Sequence, residues 1–108
     1  DTAKRGAGLV MYPYSSLGPN CIVGDYVTIL NSRIGHDAVL GNFCTISSHC
    51  GINGHVHIGE GAFVGSHAVF LPSTKVGENA YVGAGSVVIN RVRPNTKVFG
   101  NPAKRIDL

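Results

Sequence analysis

From Ile34 onward an apolar residue recurs at every sixth position without a slip: Ile34, Leu40, Ile46, Ile52, Ile58, Val64, Phe70, Val76, Val82 and Val88. Upstream the spacing runs through Met11, Leu17, Val23 and Ile29, and the step from Ile29 to Ile34 is five. A period of six fits neither a helix of 3.6 residues per turn nor a plain alternating strand. It fits short strands joined by tight corners, where glycine supplies backbone angles that other residues resist. Glycine follows most ladder positions (Gly35, Gly41, Gly59, Gly65, Gly77, Gly83), and the fourth residue after each is small or thin, as at Ala38, Cys44, Ala62 and Ser86. The pattern predicts an all-β parallel β-helix of hexapeptide repeats with about five triangular coils, in which residues eighteen apart stack. Period alone does not set its handedness.

The 108 residues fit one domain, too small for a catalytic unit plus a separate nucleotide-binding unit. The hexads divide it into a lead-in over 1–10, the repeat domain over 11–89 and an irregular, Pro-containing tail over 90–108. No apolar run approaches the ~18 residues of a membrane-spanning helix, and the first residues are not those of a secretory signal, so a soluble cytoplasmic protein is expected. Net charge is +3, with Arg91, Arg93, Lys97, Lys104 and Arg105 gathered at the end. Such a tail suits phosphates or plain solvation equally; with only Phe99 among these charges, nucleic acid is not an expected partner.

The three cysteines, Cys21, Cys44 and Cys50, all take the small inward position, and no two are eighteen apart. They read as core fillers in a reducing compartment. Of the five histidines, His49 stacks on His67, His55 lies eighteen beyond Asp37, and His57 eighteen before Lys75. Zinc needs three or four converging ligands. With the cysteines inward and the histidines on different ladders, the spacing predicts no metal site within one chain.

His36 stands apart because the equivalent position one coil later is Gly54. Neighbouring parallel strands lie ~4.8 Å apart, so an imidazole beside a backbone without a side chain is expected to leave room for a ligand. A base next to a backbone N–H is the minimum equipment for acyl transfer: one removes the nucleophile's proton, the other stabilises the oxyanion. Asp37 would fix the imidazole's tautomer. The spacing leaves a second arrangement open, in which Asp37 pairs with His55 and His36 is an ordinary surface residue.

The hexads, with "IGHDAVLG", "GAGSVV" and the closing "VFGNPAKRI", resemble the left-handed β-helix acyltransferases, and among them the sialic acid O-acetyltransferases and UDP-4-amino-sugar N-acetyltransferases. The similarity runs from about Met11 to Ile106. It implies a left-handed helix, acetyl-CoA as acyl donor, no metal, and a small-molecule acceptor that is a sugar or nucleotide-sugar; serine, simple sugars and antibiotics are acceptors elsewhere on this fold, and a silent scaffold is the non-enzymatic alternative. It implies His36 as general base assisted by Asp37, and the Gly54 N–H facing the thioester. Backbone at Ser66 and Ala84 would follow the pantetheine arm, and Lys104 and Arg105 would lie near the CoA phosphates. Thr45 stands where many relatives carry a second histidine. The resembling family also has an N-terminal Rossmann-like domain for the sugar nucleotide, which these 108 residues do not include. It assembles as homotrimers with the donor between neighbours, and His49 and His67 are the expected interface candidates.

Overall fold

Each hexad contributes a strand of only two residues, and a corner of about four then turns the chain into the next strand. The computed structural model describes residues 2–107. They wind into a left-handed parallel β-helix with three faces and no helix. The first face stacks Lys4–Arg5, Ile22–Val23, Val39–Leu40, His57–Ile58 and Lys75–Val76. On the second lie Val10–Met11, Thr28–Ile29, Thr45–Ile46, Phe63–Val64, Tyr81–Val82 and Lys97–Gly100. The third carries Ser16–Leu17, Arg33–Ile34, Gly51–Ile52, Val69–Phe70 and Val87–Val88.

In every hexad from Ile34 to Val88 the ladder residue is buried, from Phe70 at 0% exposure to Val76 at 4%. Full burial of one such side chain stabilises by roughly 1.5–3 kcal/mol, so each coil adds its own increment to a continuous core. Met11 is an exception: it lies in the first coil, is covered from one side only, and is exposed.

Pairs stack eighteen apart where the spacing says they should, as in His57 with Lys75 and Val69 with Val87. Across the five-residue step they stack seventeen apart: Val23 with Leu40, Ile29 with Ile46, Leu17 with Ile34. Ser32 makes the short corner possible. Its buried Oγ accepts the Cys50 N–H at 2.9 Å and lies 2.5 Å from the Ser47 carbonyl, to which it can donate. At the matching position of other coils that N–H bonds within its own corner, as Val56 does to Asn53. The hydroxyl thus stands in where the corner has lost a residue.

Two boundaries differ from the sequence expectation. The coils start at Lys4, paired with Ile22, rather than at residue 11. Beyond residue 90 the chain is not irregular throughout: Val92 bridges Val76 and Lys97 pairs with Tyr81, so the stack continues before Ala103–Arg105 returns antiparallel. Val92 follows Val88 by four residues rather than six, and Val98 follows Val92 by six; both keep inward side chains.

Candidate functional site

The three edges of the prism are built from residues in the left-handed backbone region. On the edge joining the third face to the first these are Asn20, Asp37, His55 and Ser73; on the edge joining the second to the third they include His49 and His67. Asn, Asp and His tolerate this region better than most side chains. Three of the five histidines, His49, His55 and His67, are therefore corner residues with φ near +60°.

On the third-to-first edge the Asp37 carboxylate gathers two imidazoles. His36 Nδ1 is 3.1 Å from Asp37 Oδ2, and His55 Nε2 is 3.7 Å from the same oxygen. The two rings meet edge to face, with centroids 5.2 Å apart. Since a carboxylate only accepts, the bond has the His36 Nδ1 as donor, and in the neutral ring Nε2 is then the nitrogen with the lone pair. Asp37 thus faces both of the partners that the spacing offered it. The His55 N–H also donates to the His36 carbonyl at 3.0 Å, and the Asp37 N–H to that of Pro19 at 3.0 Å, so the backbone on either side is tied down.

Nε2 points over Gly54. A Cβ on Gly54 would overlap the His36 ring itself, so the missing side chain makes room for the imidazole, not for an external ligand. This corrects the expectation of an open space there. Among the described residues no hydrogen bond is donated by the Gly54 N–H to protein. Ligand space lies alongside, in a groove of about 440 Å³ whose lining includes Ser16, Arg33, His36, Asn53, Gly54 and Pro72.

The remaining sequence candidates are placed elsewhere. Thr45 is on the second face, opposite the His36 edge. Ser66 and Ala84 lie on the second-to-third edge, which also carries the stacked rings of His49 and His67, with centroids 5.1 Å apart. Lys104 and Arg105 sit on the returning strand, where Arg105 pairs with Asp107 at 3.3 Å. The chain therefore brings together His36, Asp37 and Gly54, and adds His55; the eighteen-residue interval from Asp37 was its signal. The expectation that no three metal-binding groups converge within one chain does not hold, since ligand atoms of His36, Asp37 and His55 all lie within 4.8 Å of one another.

The cysteines are buried and unpaired. Burial pushes the Cys44 thiol up to about 12 and raises Cys21 and Cys50 as well, although at Cys50 hydrogen bonds with the Ala68 backbone and the Ser32 side chain pull the other way. None is disposed to act as a nucleophile.

The Bacterial transferase hexapeptide (six repeats) family matches residues 55–90. An acyl-[acyl-carrier-protein]–UDP-N-acetylglucosamine O-acyltransferase of Pseudomonas aeruginosa is 32% identical over 83 residues, covering 76% of this chain and 32% of the relative. The acetyltransferase domain of PglB from Neisseria gonorrhoeae, solved with acetyl coenzyme A, superposes with a TM-score of 0.92 at 30% identity, over 97% of this chain and 52% of that one. PerB of Caulobacter crescentus, solved with CoA and GDP-perosamine, gives 0.58 at 25% identity, over 93% and 55%. The chain thus spans about a third of the length of the curated relatives it matches and about half of these structures.

Proposed function

We propose that this chain, similar in sequence and fold to hexapeptide-repeat acyltransferases, moves an acetyl group from acetyl-CoA to a hydroxyl or amine of a sugar or nucleotide-sugar. The observation that carries the reading is the His36 imidazole held by Asp37 at Nδ1, with Nε2 lying over a glycine whose N–H has no protein acceptor. The acceptor's oxygen or nitrogen attacks the thioester carbonyl while its proton passes to Nε2. Negative charge on the carbonyl oxygen is met by the Gly54 N–H. Collapse breaks the carbon–sulfur bond, and the proton on His36 leaves with the CoA thiolate. Asp37 faces the imidazolium that forms in between. PglB was solved with acetyl coenzyme A and PerB with CoA and GDP-perosamine, which supports this donor and this class of acceptor here.

The reading includes a homotrimer and a cytoplasmic location. No single prism can present the His36 edge and the opposite second face to one ligand. If Thr45 follows the donor, a second copy must supply it. The second face is suited to that: the Phe63 and Tyr81 rings stack on it at 5.0 Å, Val10 is exposed at the far end of the same row, and a head-to-side contact of this kind closes into a ring. Among the described residues no helix is long and apolar enough to cross a membrane.

The test is direct: purified chain with acetyl-CoA and a panel of amino-sugar nucleotides, read by acetyl mass shift on the acceptor. Transfer to one member supports the reading; failure to bind acetyl-CoA in calorimetry rejects it and favours a scaffold.

A further inference from the structure

We infer that His36, Asp37 and His55 form a capture site for a borderline transition cation such as Zn²⁺, whose occupancy switches the acetyl transfer off. Two ligands of a tetrahedral zinc bound at 2.0–2.1 Å stand about 3.3 Å apart. The separations here, 3.1 Å from His36 Nδ1 and 3.7 Å from His55 Nε2 to Asp37 Oδ2, bracket that value. All three ligand atoms lie within 4.8 Å of one another, so a swing of one exposed imidazole brings them onto an ion held between them. Their order is fixed before binding by the corner backbone: Asp37 and His55 sit at φ 58° and 62°, and the His55 N–H is bonded to the His36 carbonyl. The side chains are 58%, 39% and 58% exposed, open to ions from solvent. Two imidazoles and one carboxylate suit zinc, copper or nickel, whereas calcium and magnesium want oxygen ligands.

The inhibition, which rests on the acetyltransferase reading, follows from proton count. A neutral imidazole has one N–H. With the metal on Nδ1 that proton resides on Nε2, and Nε2 can no longer accept one from the acceptor. The ion also takes the carboxylate that would face the imidazolium. Donor binding in the groove is untouched, so zinc lowers kcat and leaves the acetyl-CoA KM in place.

Zinc is titrated into the chelator-treated chain by calorimetry and by competition with a zinc-sensitive dye. One equivalent per chain is expected, in the micromolar range. His55→Asn and Asp37→Asn should each weaken binding roughly tenfold or more, in line with the losses seen on removing metal-site partners; both keep a side chain that tolerates the left-handed corner. A double His49→Asn, His67→Asn variant should bind zinc like the parent. No stoichiometric binding, unchanged affinity in His55→Asn, or loss in the His49/His67 variant overturns the site, and zinc that binds at the cluster without lowering kcat overturns its inhibitory role. A chain that binds zinc here yet transfers no acetyl group keeps the site and removes the acetyltransferase reading instead.

Discussion

His36 occupies the volume that a Cβ on Gly54 would fill, so these two residues one coil apart are a single packing unit. Gly54→Ala should therefore swing the imidazole away from Asp37 while the prism stays intact, because Gly54 is not in the left-handed backbone region. The expected outcome is a fall in kcat of ~10²-fold or more with acetyl-CoA affinity largely kept. A variant that retains most of its kcat would show that the ring has other room and does not work from over Gly54.

His36→Asn keeps a polar side chain but removes the base. Positioned general bases contribute ~10²- to 10⁴-fold, and kcat should drop within that range. Single-turnover kinetics with a hydroxyl acceptor check it, since a deprotonated amine needs the base less. Retention of more than about a third of kcat with chemistry rate-limiting would rule out general-base catalysis by His36.

Ser32→Ala leaves the Cys50 N–H without the hydroxyl that accepts it and the Ser47 carbonyl without a nearby donor. An unsatisfied buried polar group costs about 1–3 kcal/mol, which in a chain of this size lowers Tm by several degrees. Thermal unfolding followed by circular dichroism measures it, and an unchanged Tm would mean that the short corner closes without the serine.

The Cys44 thiol, pushed up to about 12 from 9.0 by burial, stays protonated in the folded chain under conditions where the unfolded chain ionises. Between those values the native state holds more protons, so stability is fully present below pH 9 and falls as pH rises from 9 toward 12, at up to ~1.4 kcal/mol per unit for this group. Denaturant melts at pH 8 and 10.5 compare the two conditions, and Cys44→Ala should flatten part of the slope. An identical slope in that variant would assign the loss to other groups.

A trimer is expected in solution from the separation of Thr45 and the His36 edge on opposite sides of the prism. Multi-angle light scattering at micromolar concentration gives the mass directly. A monomer would mean that the second face plays no part in donor binding.

The ladder from Ile34 to Val88 was legible because each position carries a side chain of core size and burial follows period without exception. Stacking at eighteen residues then placed His49 on His67 and His55 beside Asp37 before any coordinates. What spacing could not give was the direction of side chains at corners. Asp37 has positive φ, and only that turn lets its carboxylate reach imidazoles on its own coil and the next. The filled space over Gly54 was hidden for a similar reason, since the rotamer of His36 is not a property of the repeat. Past Val88 the rhythm slips by two residues to Val92 and resumes at Val98, and one slipped step hid the continuing coil.

The returning strand with Lys104 closes one end of the prism, and His36 lies several coils away along the same axis. Each coil advances the stack by ~4.8 Å. A molecule that must touch both the basic end and the imidazole is therefore measured by the number of turns between them. Because the core residues of successive coils are nearly interchangeable, duplicating or deleting eighteen residues would lengthen or shorten this gauge by one step and leave both ends as they were. Reach, in such a chain, is set by counting rather than by reshaping a pocket.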